Sequence, residues 1–155
     1  MELFDLKGKH SRASTREFDK ENRNKENQIL ALDYNVDGTQ WASGGADRTV
    51  RVYDEERPKE PKRELRGDAQ NRGGHSNRIC SVCFMPDKPT CLFSAGLDNT
   101  VLMWDTRDQK PVALIKIPEV EIAGDALDVK GTHTLLTGSW RPERQVSSRP
   151  RPLLR

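Results

Sequence analysis

His75, Ser94 and Asp98 are the three side-chain types of a hydrolytic triad, and Cys80 and Cys83 stand at the C-x-x-C spacing of a zinc or redox site. Each set could do chemistry in the right surroundings. A triad serine needs an oxyanion site beside it, and no Gly-rich segment accompanies Ser94. The cysteines fall in a run that reads as a strand. Residues three apart on a strand point to opposite faces, so the two thiols cannot share one ion without a bulge. Zinc also takes four ligands, and only Cys91 and His75 lie near in sequence. Gly44-Gly45 and Gly73-Gly74 are not followed by Gly-Lys-Ser/Thr, so neither is a phosphate loop. Core thiols and turn glycines account for these residues better than a cofactor or metal does.

The elements that would position these groups come from a repeat. Ser43-Gly44-Gly45-Ala46-Asp47-Arg48-Thr49-Val50-Arg51-Val52-Tyr53-Asp54 returns 51 residues later, ending in Trp104-Asp105. Strand-like runs precede each copy: Ile29, Leu30, Leu32 and Tyr34, then Ile79, Val82 and Phe84. Turns follow at Asp37-Gly38 and Pro86-Asp87. Short β-rich runs with turns at this spacing predict an antiparallel all-β fold. Pro111 to Ile115 is expected as the outer strand after the second copy. A third, truncated copy starts at Ala126, Leu127 and Val129, turns at Lys130-Gly131-Thr132, and continues through Leu135 to Ser139. There the pattern fails, because Arg141 replaces the Asp and no Trp-Asp follows.

In the second copy, Gly74-His75, the Pro86-Asp87 turn, Ser94-Ala95-Gly96, Asp98 and Trp104-Asp105 follow one another in the order of a WD repeat, which this segment resembles. The expected architecture is an incomplete WD-repeat β-propeller of four-stranded antiparallel blades, about two and a half repeats. The division is repeat 1 over 29–66, repeat 2 over 74–116, truncated repeat 3 over 122–146 and a disordered basic tail over 147–155. Residues 1–28 are an N-terminal segment with an outer strand at 2–6 and a charged, disordered insertion. Gly8-Lys9-His10 stands where a Gly-His would open the first copy. The resemblance implies a structural tetrad of His75, Ser94, Asp98 and Trp104, and a partial one of Ser43, Asp47 and Tyr53. The chemistry is self-consistent: a buried indole N–H needs an acceptor, a serine hydroxyl supplies it and donates to an imidazole, and a carboxylate holds the other ring nitrogen.

Composition narrows the function. The formal net charge is +2 with 26 basic and 24 acidic residues, a balance that argues against a dedicated nucleic-acid binder. The three cysteines are an odd number with no signal-peptide pattern, and no run approaches the ~20 apolar residues of a membrane span. Those features predict an intracellular protein, cytoplasmic or nuclear. The resemblance implies a protein-binding scaffold with no enzymatic activity and no cofactor, whose partners are proteins or peptides. Arg48, Arg51, Asn99 and Lys130 are the candidate contact residues. The rival readings are an RNA-associated component using the Arg-rich tail, and a truncated isoform without activity of its own. A partial propeller leaves blade faces open, so an oligomer or a partner that completes it is also expected.

Overall fold

The computed structural model describes residues 2–4, 11–14, 17, 26–68, 72–108, 113–131, 134–140 and 146–150. Among them every regular element is a strand and every pairing is antiparallel. A two-stranded sheet joins β1 (Glu2–Phe4) to β2 (Ser11–Ser14). Blade 1 is β3 (Ile29–Tyr34), β4 (Gln40–Gly45), β5 (Val50–Asp54) and β6 (Arg63–Leu65), in that order across the sheet. Blade 2 repeats it with β7 (Ile79–Met85), β8 (Lys88–Gly96), β9 (Thr100–Asp105) and β10 (Ile115–Pro118). Blade 3 has β11 (Leu127–Lys130), β12 (Thr134–Gly138) and β13 (Val146–Pro150).

Strand register sorts the side chains onto two faces of each blade, because alternate residues point oppositely. On the front of blade 2, Val82, Ser94 and Leu102 lie side by side, next to Phe84, Leu92 and Trp104. The rear of blade 1, with Ala31, Ala42, Val50, Val52 and Leu65, packs onto that front as one buried cluster. The rear of blade 2, with Phe93, Ala95, Val101 and Met103, packs against Val129 and Leu135 of blade 3, and Val120 and Ile122 fill the same cluster. Gly44 lets the first pair of blades approach. A Cβ there would sit 2.6 Å from Ile79 Cγ2 and 2.9 Å from Val82 Cγ2.

Several expectations change. The outer strand of blade 2 is Ile115–Pro118 rather than 111–115. Ile115 and Ile117 alternate with Lys116 and pair with Met103 and Val101, which puts both isoleucines against the core. Pro111, Val112, Thr132, Arg141, His10 and the remainder of 1–28 and 147–155 lie outside the described residues. The insertion expected to be disordered within 1–28 contains strand β2, and the tail expected to begin at 147 contains most of β13, paired with β12. Neither stretch has an apolar alternation to announce it. A ladder needs only backbone donors and acceptors facing each other, which composition does not record.

Candidate functional site

In blade 2 the connection into β7, strand β8 and the β8–β9 turn converge on one polar chain. Trp104 Nε1–H donates to Ser94 Oγ at 2.7 Å, and Ser94 Oγ stands 2.7 Å from His75 Nε2. His75 Nδ1 faces Asp98 at 3.1 and 3.0 Å to the two carboxylate oxygens. With Nδ1 protonated, the indole donates to the serine, the serine to Nε2, and Nδ1–H to the carboxylate, so every group is satisfied. Asp98 also accepts from Ser76 N–H at 2.8 Å and from the Thr100 hydroxyl at 2.8 Å. Burial pushes the Asp98 carboxyl up, but the bonds from His75, Ser76 and Thr100 outweigh it and hold the group at about 2. Gly74 is fixed by space: a Cβ there would overlap the carbonyl oxygen of Arg66.

Ser–His–Asp contacts of this kind resemble a triad, yet the serine is fully buried and its oxygen already takes the indole N–H. A reacting carbonyl has no approach to that oxygen. The cysteines are free thiols. The ladder has a bulge between Ile79 and Ser81, at Cys80. Even so, among the described residues no group of three or more His, Cys, Asp or Glu is placed to hold a metal ion. Cys83 lies toward blade 3, and burial, then the carboxylates of Asp33, Asp128 and Asp125, push its thiol up to about 12.

Blade 1 builds its chain from other chemistry. Ser43 Oγ–H and Tyr53 O–H both donate to Glu17 Oε1, at 2.5 and 2.7 Å. Arg51 donates to Glu17 Oε2 at 3.0 Å and to Asp47 Oδ2 at 2.5 Å, and Asn27 Nδ2–H donates to Glu17 at 3.1 Å. The side chains of Arg51, Glu17 and Asp47 are 5%, 2% and 1% exposed. Burial works against the Arg51 charge, and the bond to Asp47 with the Asp47 and Glu17 charges overcomes it, so its pKa rises. Burial first, and then the Glu17 carboxylate, raise the pKa of Tyr53. Trp41 stacks on Tyr53 with ring centroids 3.9 Å apart.

Ser43, Asp47 and Tyr53 are therefore brought together, around an anion that spacing does not reveal. His75 lies four residues before Ile79, whereas Glu17 lies twelve before Ile29. One signal was present. Arg51 occupies the place of Leu102 in the repeat, and a cation at a core position demands buried carboxylates. Arg51 is consequently corrected as a partner contact, since it is buried inside this network. Arg48 and Asn99 lie in the equivalent β4–β5 and β8–β9 turns with φ of 65° and 58°. Lys130 is exposed beside the β11–β12 turn, at the opposite end of the blades. Blade 3 keeps Thr137, buried, at the serine position.

Four-stranded antiparallel sheets, stacked face to face and each carrying a buried chain of polar side chains, define blades of a β-propeller. The WD40 family model (WD domain, G-beta repeat) matches residues 18–54 and 68–105, and the chain belongs to the WD-repeat family. The chain is 32% identical over 116 residues to the methylosome protein WDR77 of Xenopus laevis, covering 75% of this chain and 29% of that protein. It is 29% identical to the poly(A)+ RNA export protein of Schizosaccharomyces pombe, covering 70% of this chain and 28% of the relative. It is also 29% identical to pre-mRNA-processing factor 19 of Caenorhabditis elegans, over 69% of this chain and 20% of that protein. The chain thus spans under a third of the length of these relatives. Among solved structures, a chain in the outer coat vertex of COPII on membranes superposes with a TM-score of 0.75 at 17% identity, covering 99% of this chain and 39% of that one. That likeness carries the fold alone. No helix among the described residues is long and apolar enough to cross a membrane.

Proposed function

We propose that this chain is a protein-interaction scaffold of a multi-protein complex, and that it binds partners at the blade rim formed by the β4–β5 and β8–β9 turns. The observation that carries the reading is the pairing of two buried networks with two outward turns. Each network ends on the Asp of its turn, Asp47 or Asp98, and thereby fixes the turn that presents Arg48 or Asn99. Rigidly held loops on a stable sheet stack are recognition surfaces. Relatives described as a methylosome protein and as a THO complex subunit support a role inside an assembly.

The test is affinity purification of the tagged chain with quantitative mass spectrometry. Arg48→Asp and Asn99→Asp place at both positions a residue type that tolerates positive φ. The pair is expected to lower recovery of co-purifying proteins several-fold at unchanged melting temperature, while Lys130→Glu on the other rim leaves recovery intact. Equal recovery from wild type and the rim pair would sink the reading. A second reading, association with RNA-containing complexes, is favoured by relatives described as an RNA export protein and a pre-mRNA-processing factor. It expects salt-dependent RNA binding that deletion of 141–155 removes.

A further inference from the structure

The rim at the β4–β5 and β8–β9 turns is unequal in charge. The link from β6 to β7, residues 66–78, carries Arg66, Arg72 and Arg78 against one carboxylate, Asp68. That carboxylate is already taken, since Arg72 Nε–H donates to it at 2.8 Å. The carboxylates of the two turns are taken as well. Asp47 is paired with Arg51, and Asp98 faces His75 and accepts from Ser76 N–H and the Thr100 hydroxyl. Glu64 of β6 lies 3.5 Å from Arg51 Nε. Arg66 and Arg78 are exposed, and neither has an ion-pair partner among the described residues.

The fold holds these cations beside the blade 2 turn. The Arg66 carbonyl oxygen lies hard against Gly74. From Gly74 the chain takes four residues to reach Arg78, at most about 14 Å of backbone. The Arg78 carbonyl accepts the Leu97 N–H at 2.9 Å, where the β8–β9 turn begins. In that turn Leu97 is 40% exposed, and Asn99 is exposed. Blade 1 adds a third cation at the matching turn position. Arg48 stands at φ 65° where blade 2 has Asn99 at 58°. The left-handed region suits an asparagine better than an arginine, so local backbone preference does not select Arg48.

We propose, resting on the rim reading above, that the partner of this rim is an acidic peptide segment. Its carboxylates meet Arg66, Arg78 and Arg48, and an apolar side chain seats on Leu97. A guanidinium offers a carboxylate paired N–H donors, and Arg66 and Arg78 give up no internal ion pair to do so. Asn77 and Asn99, both exposed, supply amide groups for the peptide backbone. Residues 66–78 and the two turns contain no Phe, Tyr or Trp on which a base could stack, which favours a peptide over a nucleic acid.

The experiment is fluorescence anisotropy on the whole 155-residue chain, with a short fluorescein-labelled peptide of glutamates around one leucine as the probe. Wild type is expected to bind it, with an affinity that falls as salt rises. Arg66→Glu with Arg78→Glu is expected to weaken binding by about tenfold or more, because like charges then face the peptide. Arg66→Gln with Arg78→Gln adds no repulsion and is expected to weaken it by a smaller factor. Lys59→Glu with Lys130→Glu makes the same change in net charge at the opposite end of the blades and is expected to leave binding intact. All four replaced side chains are exposed, and melting temperature checks that each variant is folded. Equal loss from both ends overturns the proposal, since overall charge then carries the binding. A wild type that ignores the peptide, or that prefers an oligouridylate of the same length, overturns it too. If the peptide fails while Arg48→Asp with Asn99→Asp still lowers co-purification, the partner chemistry falls and the rim reading stands. If co-purification is unchanged as well, both fall.

Discussion

The two polar networks solve one problem with opposite chemistry, and their residues should respond differently to perturbation. The blade 2 network is anchored on Asp98, held at about 2 against an ordinary 3.8. A carboxylate whose pKa is depressed by folding stabilises the fold above its unfolded value, and that stability is lost as pH falls through the folded one. Thermal unfolding followed by circular dichroism should therefore show a loss on the order of 2 kcal/mol between about pH 4 and pH 2. Asp98→Asn should flatten that window and leave the protein less stable at pH 7. In blade 1 the network contains the buried ions Glu17, Asp47 and Arg51. Glu17→Ala strips the acceptor from Ser43 and Tyr53 and leaves Arg51 with one fewer counter-charge. Urea unfolding should report a loss of about 3–5 kcal/mol, the scale for breaking a buried ion pair. Adding Arg51→Leu, the residue type of blade 2 at that position, should recover part of it, a coupling that a double-mutant cycle measures.

At the scale of strands and turns, tight backbone approach decides which residues are tolerated. Gly74 passes the Arg66 carbonyl with no room for a Cβ. Gly74→Ala should displace His75 from Ser94 and weaken blade 2 while blade 1 keeps its protection in hydrogen exchange. Strand β7 sets the chemistry of its own thiols. Cys83 is pushed up to about 12 by burial and by the carboxylates of Asp33, Asp128 and Asp125. A thiol so raised is scarcely ionised at pH 8, so Ellman's reagent should leave Cys83 unmodified in the folded chain and label it in denaturant. Peptide mapping after alkylation would identify the site, and rapid labelling of Cys83 without denaturant would contradict this account.

For the molecule as a whole, stability resides between blades as much as within them. Ile79 is fully buried where blade 2 meets blade 1, directly against Gly44. Gly44→Val would force side-chain volume into that seam, at a cost of about 1–3 kcal/mol for overpacking. Because one apolar cluster spans both blades, the Trp41 and Trp104 near-UV signals should fall together, at a lower temperature than in wild type. Separate transitions would show that the blades unfold independently.

The repeat and the strand periodicity could be read directly from the sequence, and the residues of the blade 2 tetrad followed from the resemblance of that segment to a WD repeat. These are local patterns: side-chain alternation, turn residues and fixed spacings, each set by the geometry of a single strand or hairpin. Glu17 could not be read this way, because it lies in a charged stretch at a spacing no repeat predicts. Only the tertiary structure brings the Glu17 carboxylate to Ser43, Tyr53 and Arg51. The burial of Arg51, the strand at 146–150 and the displaced outer strand at 115–118 were likewise settled by long-range pairing. The identity of a residue records its chemistry, whereas its partner in space depends on which surfaces the rest of the chain leaves to be covered.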